Sequence, residues 1–207
     1  MARRKLAPPE AHLVKVCEGM ARVAPLHDPF PLKPDRSPDP YQSLIRAVVF
    51  QQLSGKAATT ILNRVIALFS RSDFPSPASL LRASDDKLRA AGLSRQKTAA
   101  IKDIARLRMQ GVIPDAAEIE HLDDEEIVAR LTTARGVGRW TVQMHLIFAM
   151  GRPDVMPMDD LGVRKGAEKL FDRTFTPKEL DAFANRWGPW RSAAAWHLWR
   201  VADTKTV

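Results

Sequence analysis

Apolar positions along the chain recur at helical spacing in segment after segment, and two-residue alternation never persists long enough to predict a strand. Leu13, Val16, Cys17, Met20 and Val23 fall on one face of a helix over Glu10 to Val23, which Pro25 ends. A proline-rich link through Pro29, Pro31, Pro34 and Pro38 leads to Asp39-Pro40, an N-cap followed by proline at the first helical position. The next helix, Tyr41 to Leu53, is apolar nearly all round and suits a core. Lys56 to Phe69 follows with Ala57, Ile61, Val65 and Leu68 on one face. Two short helices are expected over 75–83 and 84–91, closed by Gly92, and Ser94 caps another from Arg95 to Met109. After Gly111 and Pro114 comes a short turn. Residues 1 to 7 read as frayed.

The densest signal lies in residues 124–165. Asp123 precedes a helix carrying Ile127, Val128 and Leu131, with Glu126 placed to complete a capping box. The pattern breaks at Arg135-Gly136-Val137-Gly138 and resumes from Trp140 to Met150, a helix, hairpin, helix arrangement. The two glycines allow the hairpin positive φ and a close approach to a large object. The helix behind it turns its first N–H groups outward, which suits a phosphate. Gly151-Arg152-Pro153 ends that helix, an apolar passage Val155-Met156-Pro157-Met158 follows, and Asp159-Asp160 opens a helix with Val163, Leu170 and Phe171. Thr176-Pro177-Lys178-Glu179 is a capping box before Leu180, Phe183 and Trp187. The last helix, from about Pro189 to Val201, sets Trp196 and Trp199 three residues apart on one face.

The fold class is therefore all-α, with two helical lobes expected: lobe A about 8–38 plus 160–207, and lobe B about 39–159. Composition narrows the chemistry. A single Cys17 excludes an internal disulfide and a four-cysteine iron–sulfur cluster, and the 5 histidines lack zinc-ligand spacing. Lys and Arg outnumber Asp and Glu 32 to 24, giving a net charge of +8 that suits a polyanion. Much of it clusters centrally, at Arg82, Lys87, Arg89, Arg95, Lys97, Lys102, Arg106 and Arg108. No apolar run approaches the ~20 residues a bilayer span needs, and the basic start runs into Pro8-Pro9 without a signal-like apolar stretch, so a cytoplasmic protein is expected.

Four passages carry a resemblance: Val49-Phe50-Gln51-Gln52-Leu53-Ser54-Gly55-Lys56-Ala57-Ala58, Gly92-Leu93-Ser94-Arg95-Gln96-Lys97, Gly136-Val137-Gly138-Arg139-Trp140-Thr141 and Trp187-Gly188-Pro189-Trp190-Arg191-Ser192. With the order of hairpin, helix, break and Asp-Asp, they make the chain over roughly 36–203 similar to the helix-hairpin-helix (HhH-GPD) DNA glycosylases, nearest to DNA-3-methyladenine glycosylase II. The resemblance implies a site in the cleft between the lobes, with Asp160 as catalytic carboxylate and Asp159 as auxiliary or alternative. Trp140, Trp199 and Met144 fall at the base pocket. Gln52, Leu53 and Ser54 fall at a wedge that enters the duplex, and Arg135, Gly136, Val137, Gly138 and Arg139 at the DNA-binding hairpin. The carbonyls of Thr132, Ala134 and Val137 fall where a Na+ or K+ ion is held, and no cofactor is required.

Two departures bear on this. Arg135 stands where relatives usually have proline, and Met144 where some have a pocket tyrosine. Where base-and-backbone-cleaving relatives place a lysine nucleophile after Gly-x-Gly-x, this chain has Trp140. The expected activity is therefore monofunctional release of alkylated bases (3-methyladenine, 7-methylguanine and related lesions) from double-stranded DNA after base flipping, by a monomer that is nucleoid-associated if prokaryotic. Two alternatives remain open: a non-catalytic helix-hairpin-helix DNA-binding protein, in which Asp159-Asp160 only cap a helix, and a glycosylase for oxidised bases.

Overall fold

A computed structural model describes residues 6–31, 39–69 and 74–204; Pro34 and Pro38 of the expected link lie outside them. The elements among these residues are helical, with no strand. In order they are α1 (Pro8–Val16), α2 (Glu18–Val23), α3 (Pro40–Phe50), α4 (Gly55–Ala67), α5 (Pro77–Arg82), α6 (Asp85–Ala90), α7 (Arg95–Met109), α8 (Ala116–Glu120), α9 (Asp124–Leu131), α10 (Arg139–Met144), α11 (Leu161–Phe171), α12 (Pro177–Ala184) and α13 (Arg191–Asp203). No helix among the described residues is long and apolar enough to cross a membrane.

Side-chain caps set most of the starts. Asp39, Ser54, Ser76, Ser84, Ser94, Asp115, Asp123, Asp160 and Thr176 each accept a backbone N–H of the first turn of the helix they precede. Thr176 and Glu179 complete the expected box. The box expected at Asp123 is half built: Asp123 accepts from the Glu126 N–H, while the Glu126 carboxylate goes to Arg130 at 2.6 Å.

Two helices expected to be continuous are interrupted. The run from Glu10 to Val23 breaks at Cys17, whose backbone is extended (φ −150, ψ 114). The break lets α2 pack closely beside Phe171, whose ring would lie 2.4 Å from a Cβ on Gly19. The helix from Trp140 to Met150 is α-helical only to Met144 and continues as a π turn over His145–Ala149. Helix α3 also stops at Phe50, short of the expected Leu53, because Gln51 is extended and Gln52 takes φ 56.

The chain divides into two compact units, one of residues 1–35 and 146–207 and one of 36–145. The second break falls earlier than the 159/160 boundary expected, because the 152–155 passage is fastened to the start of α13. Ser192 Oγ donates to the Arg152 carbonyl at 2.7 Å and accepts the Val155 N–H at 3.0 Å, and Arg191 grips Asp154 through Nε at 2.9 Å and Nη2 at 3.0 Å. Those charge-assisted bonds hold the Asp154 carboxyl below its ordinary pKa, against burial, which acts to raise it. In the unit of 36–145, Leu44, Ile45, Val48, Leu80, Leu88, Ile101, Ile104, Ile127 and Leu131 are buried. In the other, Leu13, Met20, Val163, Leu170, Trp187 and Leu198 are buried. There α1 meets α13 through buried Glu10, whose Oε1 accepts the Phe30 N–H at 2.8 Å and lies 3.3 Å from His197 Nε2.

Candidate active site

Within the unit that contains α11 and α13, Asp160 is held in a fixed pose. It is the N-cap of α11, its own N–H donates to the Pro157 carbonyl at 3.0 Å, and its Oδ1 accepts the Val163 N–H at 2.8 Å. The same Oδ1 accepts the Trp199 indole N–H at 2.8 Å, from one face of α13. Two N–H donors on one carboxylate oxygen fix its orientation. Asp160 remains half-exposed, and its neighbour Asp159 is exposed.

Glycine spacing in α11 makes that approach possible. A Cβ on Gly166 would sit 2.0 Å from the Leu198 carbonyl oxygen. One on Gly162 would sit 2.8 Å from Trp199 Cδ1 and 3.1 Å from Asp160 Oδ1. Helix α13 therefore crosses α11 at a separation that only glycine permits, and this brings Trp199 onto Asp160. Phe148 adds a second aromatic surface, its ring centroid 5.6 Å from that of Trp199 and 6.3 Å from that of Trp196. Phe148 is 39% exposed and belongs to the π turn, so the extra residue in that turn is what directs its ring. A carboxylate of fixed orientation beside an aromatic surface can stabilise positive charge developing on a sugar and stack a flat, electron-poor base.

The residues expected to form the wedge and the hairpin lie in the unit of 36–145. Leu53 projects from the α3–α4 turn with 40% of its surface exposed, after Gln52 in the left-handed region. In the hairpin, Gly136 has φ 78 whereas Gly138 has φ −97, so only the first glycine supplies the positive φ expected of both. Gly138 is instead the N-cap of α10; it offers no side-chain cap, and a Cβ there would meet nothing within 4 Å. The space over the first turn of α10 is thus open, with Arg135 exposed beside it. Val137 is buried as the hairpin's apolar anchor. Arg139 reaches back to Glu125 of α9, one contact at 3.0 Å. Trp140, at the start of α10, is 48% exposed, and Met144 at its end is half-buried. The carbonyls of Thr132, Ala134 and Val137 lie beyond the end of α9 at Leu131. They are neutral oxygen donors of the kind that suits an alkali cation, although the Ala134 oxygen also accepts the Val137 N–H at 3.1 Å.

Sequence reasoning missed several residues here. Phe148 lies within an apolar run, Asp103 gives no local signal, and Gln51 and Lys97 stand in the passages that carry the resemblance but without a role, because their bonds to the α3–α4 turn and the hairpin join segments far apart in the chain. Gly162 and Gly166 could have been found, since glycines one turn apart on a helix mark a close crossing.

Comparison with known proteins places this arrangement. The profile of the HhH-GPD superfamily base excision DNA repair proteins matches residues 45–191. DNA-3-methyladenine glycosylase 1 of Schizosaccharomyces pombe is 39% identical over 198 residues, spanning 93% of this chain and 86% of that protein. DNA-3-methyladenine glycosylase 2 of Escherichia coli is 28% identical, over 78% of this chain and 57% of its own length. Among solved structures, the S. pombe 3-methyladenine DNA glycosylase in complex with abasic DNA superposes with a TM-score of 0.83 at 37% identity, covering 96% of this chain and 98% of that one. A DNA-3-methyladenine glycosidase from Bacillus halodurans gives 0.82 at 30% identity, covering 96% of this chain and 90% of its own. By domain, sequence and fold, the chain belongs to the HhH-GPD superfamily of base excision DNA repair proteins.

Proposed function

We propose that the chain is a monofunctional DNA glycosylase that releases alkylated bases, such as 3-methyladenine and 7-methylguanine, from double-stranded DNA and leaves an abasic site. The observation that carries this reading is Asp160, half-exposed, with Oδ1 held by the Val163 and Trp199 N–H groups beside the Phe148 and Trp199 rings. As the C1′–N bond of the flipped nucleotide breaks, its electron pair leaves with the base and positive charge develops on the sugar. The Asp160 carboxylate stabilises that charge and orients the water that adds to C1′, whose proton passes to solvent. A base alkylated on a ring nitrogen is already cationic and departs neutral, so no general acid is needed. Stacking against the Trp199 ring favours such an electron-poor base.

The pose of Asp160, set against the exposure of Asp159, supports the second carboxylate of the pair as the principal one. Trp140 in place of a lysine supports hydrolysis without a Schiff base. The hairpin 135–139 takes a DNA phosphate on the first N–H groups of α10, and Gln52-Leu53-Ser54 fills the gap left by the extruded base. Main-chain oxygens of Thr132, Ala134 and Val137 would hold a Na+ or K+ ion, which when bound adds positive charge beside that phosphate. The protein acts as a monomer in the cytoplasm, on the nucleoid if prokaryotic.

The test is base release from duplexes carrying 3-methyladenine or 7-methylguanine. Asp160→Asn is expected to lose at least ~10²-fold in rate, the scale of a preorganised electrostatic contribution, while binding lesion DNA nearly as well as wild type. Borohydride should trap no covalent adduct with the wild-type protein, and strand breaks should appear only after alkali or heat. Loss of activity in Asp159→Asn with Asp160→Asn intact would move the assignment by one residue. A trapped adduct would overturn the monofunctional reading.

A further inference from the structure

The wedge turn and the hairpin are fastened to a common support. Gln51 closes α3: its carbonyl accepts from Lys97 Nζ at 2.7 Å, and the same ammonium donates to the Val49 carbonyl at 2.8 Å. The last carbonyls of a helix have no partner within it and carry the negative end of its dipole, so a half-buried ammonium is well matched to them. The Gln51 side chain turns the other way, and its Nε2 donates to the Gly136 carbonyl at 3.0 Å. Lys97 belongs to α7, and α7 also holds the hairpin directly: Asp103 Oδ2 accepts the Arg135 N–H at 2.9 Å, and Ala100 Cβ lies 3.5 Å from where a Cβ on Gly136 would be. Residues 97, 100 and 103, spaced by three, thus present one side of α7 to both segments.

What needs this support is the backbone between them. Gln52 is held at φ 56, a conformation that costs free energy for a residue with a side chain and persists only where the surroundings over-determine it. It sets the direction of Leu53, whose N–H returns to the Phe50 carbonyl at 3.3 Å while its side chain stands exposed. Asp103 is kept below its ordinary pKa by the Arg135 N–H and by Arg106, although burial acts to raise it, so this anchor stays charged.

We infer that Gln51 and Lys97 are positioning residues for base extrusion, bracing the Gln52-Leu53-Ser54 turn against the phosphate-binding hairpin so that gripping the backbone and inserting Leu53 occur as one event. The inference rests on reading 52–54 as the wedge. Without the brace the hairpin can still take its phosphate, but the wedge is no longer held in register with it.

Gln51→Glu places an acceptor against the Gly136 carbonyl with little change of volume, and Lys97→Met keeps the stem and removes both donors. Single-turnover release of 7-methylguanine should fall about tenfold in each variant when the lesion is paired with cytosine. It should fall by no more than about threefold when the lesion is mispaired, because extrusion costs least there. In a Leu53→Ala background neither substitution should slow the reaction further, since the side chain being aimed is gone. A duplex with 2-aminopurine beside an abasic analogue reports insertion without chemistry; its fluorescence change on binding should be lost in both variants, with thermal midpoints near wild type. Equal slowing on paired and mispaired substrates, full additivity with Leu53→Ala, or an unchanged 2-aminopurine response would overturn the brace. Should wild type release neither 7-methylguanine nor 3-methyladenine from either duplex, the glycosylase reading fails, and the 2-aminopurine response alone decides the brace.

Discussion

At Asp160 the distribution of donors says what Trp199 does there. An indole both stacks and donates, and here its N–H points at Oδ1 of the carboxylate while its ring faces Phe148. The two roles can be separated. Trp199→Phe keeps an aromatic surface and deletes the donor, leaving Oδ1 with the Val163 N–H. A hydrogen bond to a charged group is worth about 1.5–3 kcal/mol, so the single-turnover rate is expected to drop at least about tenfold, with lesion-DNA affinity changed much less. Trp199→Ala should lose rate and affinity together. An unchanged rate in the phenylalanine variant would mean that the Val163 N–H and the cap geometry suffice to orient the carboxylate. The sequence placed Trp199 by family resemblance at the base pocket; its bond to Asp160 depends on how two helices cross, which no local pattern records.

That crossing is decided on α11. Alanine is ordinarily better than glycine inside a helix by about 1 kcal/mol, yet a Cβ on Gly166 would lie 2.0 Å from the Leu198 carbonyl oxygen. Backbone cannot move aside as a side-chain end can, so Gly166→Ala is expected to destabilise by about 1–3 kcal/mol in spite of its better propensity, read as a fall in the urea midpoint. The element scale also shows where sequence reading works. Starts are chemical: Asp39, Ser54, Ser84, Ser94, Asp123 and Thr176 cap helices within a residue or two of where the pattern puts them, because a cap is a local bond. Interruptions are not. Cys17 has no breaker chemistry, and the π turn at His145–Ala149 contains neither Gly nor Pro. The close fit of Gly19 to Phe171 and the outward setting of Phe148 depend on partners far away in the chain.

Across the whole molecule, the net charge of +8 is a poor guide to which cations meet DNA. At least half of the central basic cluster is paired within the chain: Lys97 on helix-end carbonyls, and, at the surface, Lys102 on Asp85, Arg106 on Asp103 and Arg89 on Asp86. The pH dependence of stability, by contrast, draws on an uncharged histidine. His145 is 5% exposed at the head of the π turn, neither ring nitrogen has a hydrogen-bond partner among the described residues, and burial pulls its pKa from 6.5 down to about 4. The folded protein therefore keeps His145 neutral where the unfolded chain would protonate it. Its contribution is complete above pH 6.5 and is lost progressively as pH falls towards 4, a loss on the order of 3 kcal/mol. Asp154 and Asp103, held below their ordinary 3.8, keep their contributions above that value and lose them only below it, so the two windows separate. Urea midpoints between pH 7 and pH 4 should fall for wild type, and His145→Leu, which keeps an apolar side chain at the same place, should flatten that fall while leaving the steeper drop below pH 4 intact. Parallel curves for the two proteins would show that another group carries the acid sensitivity.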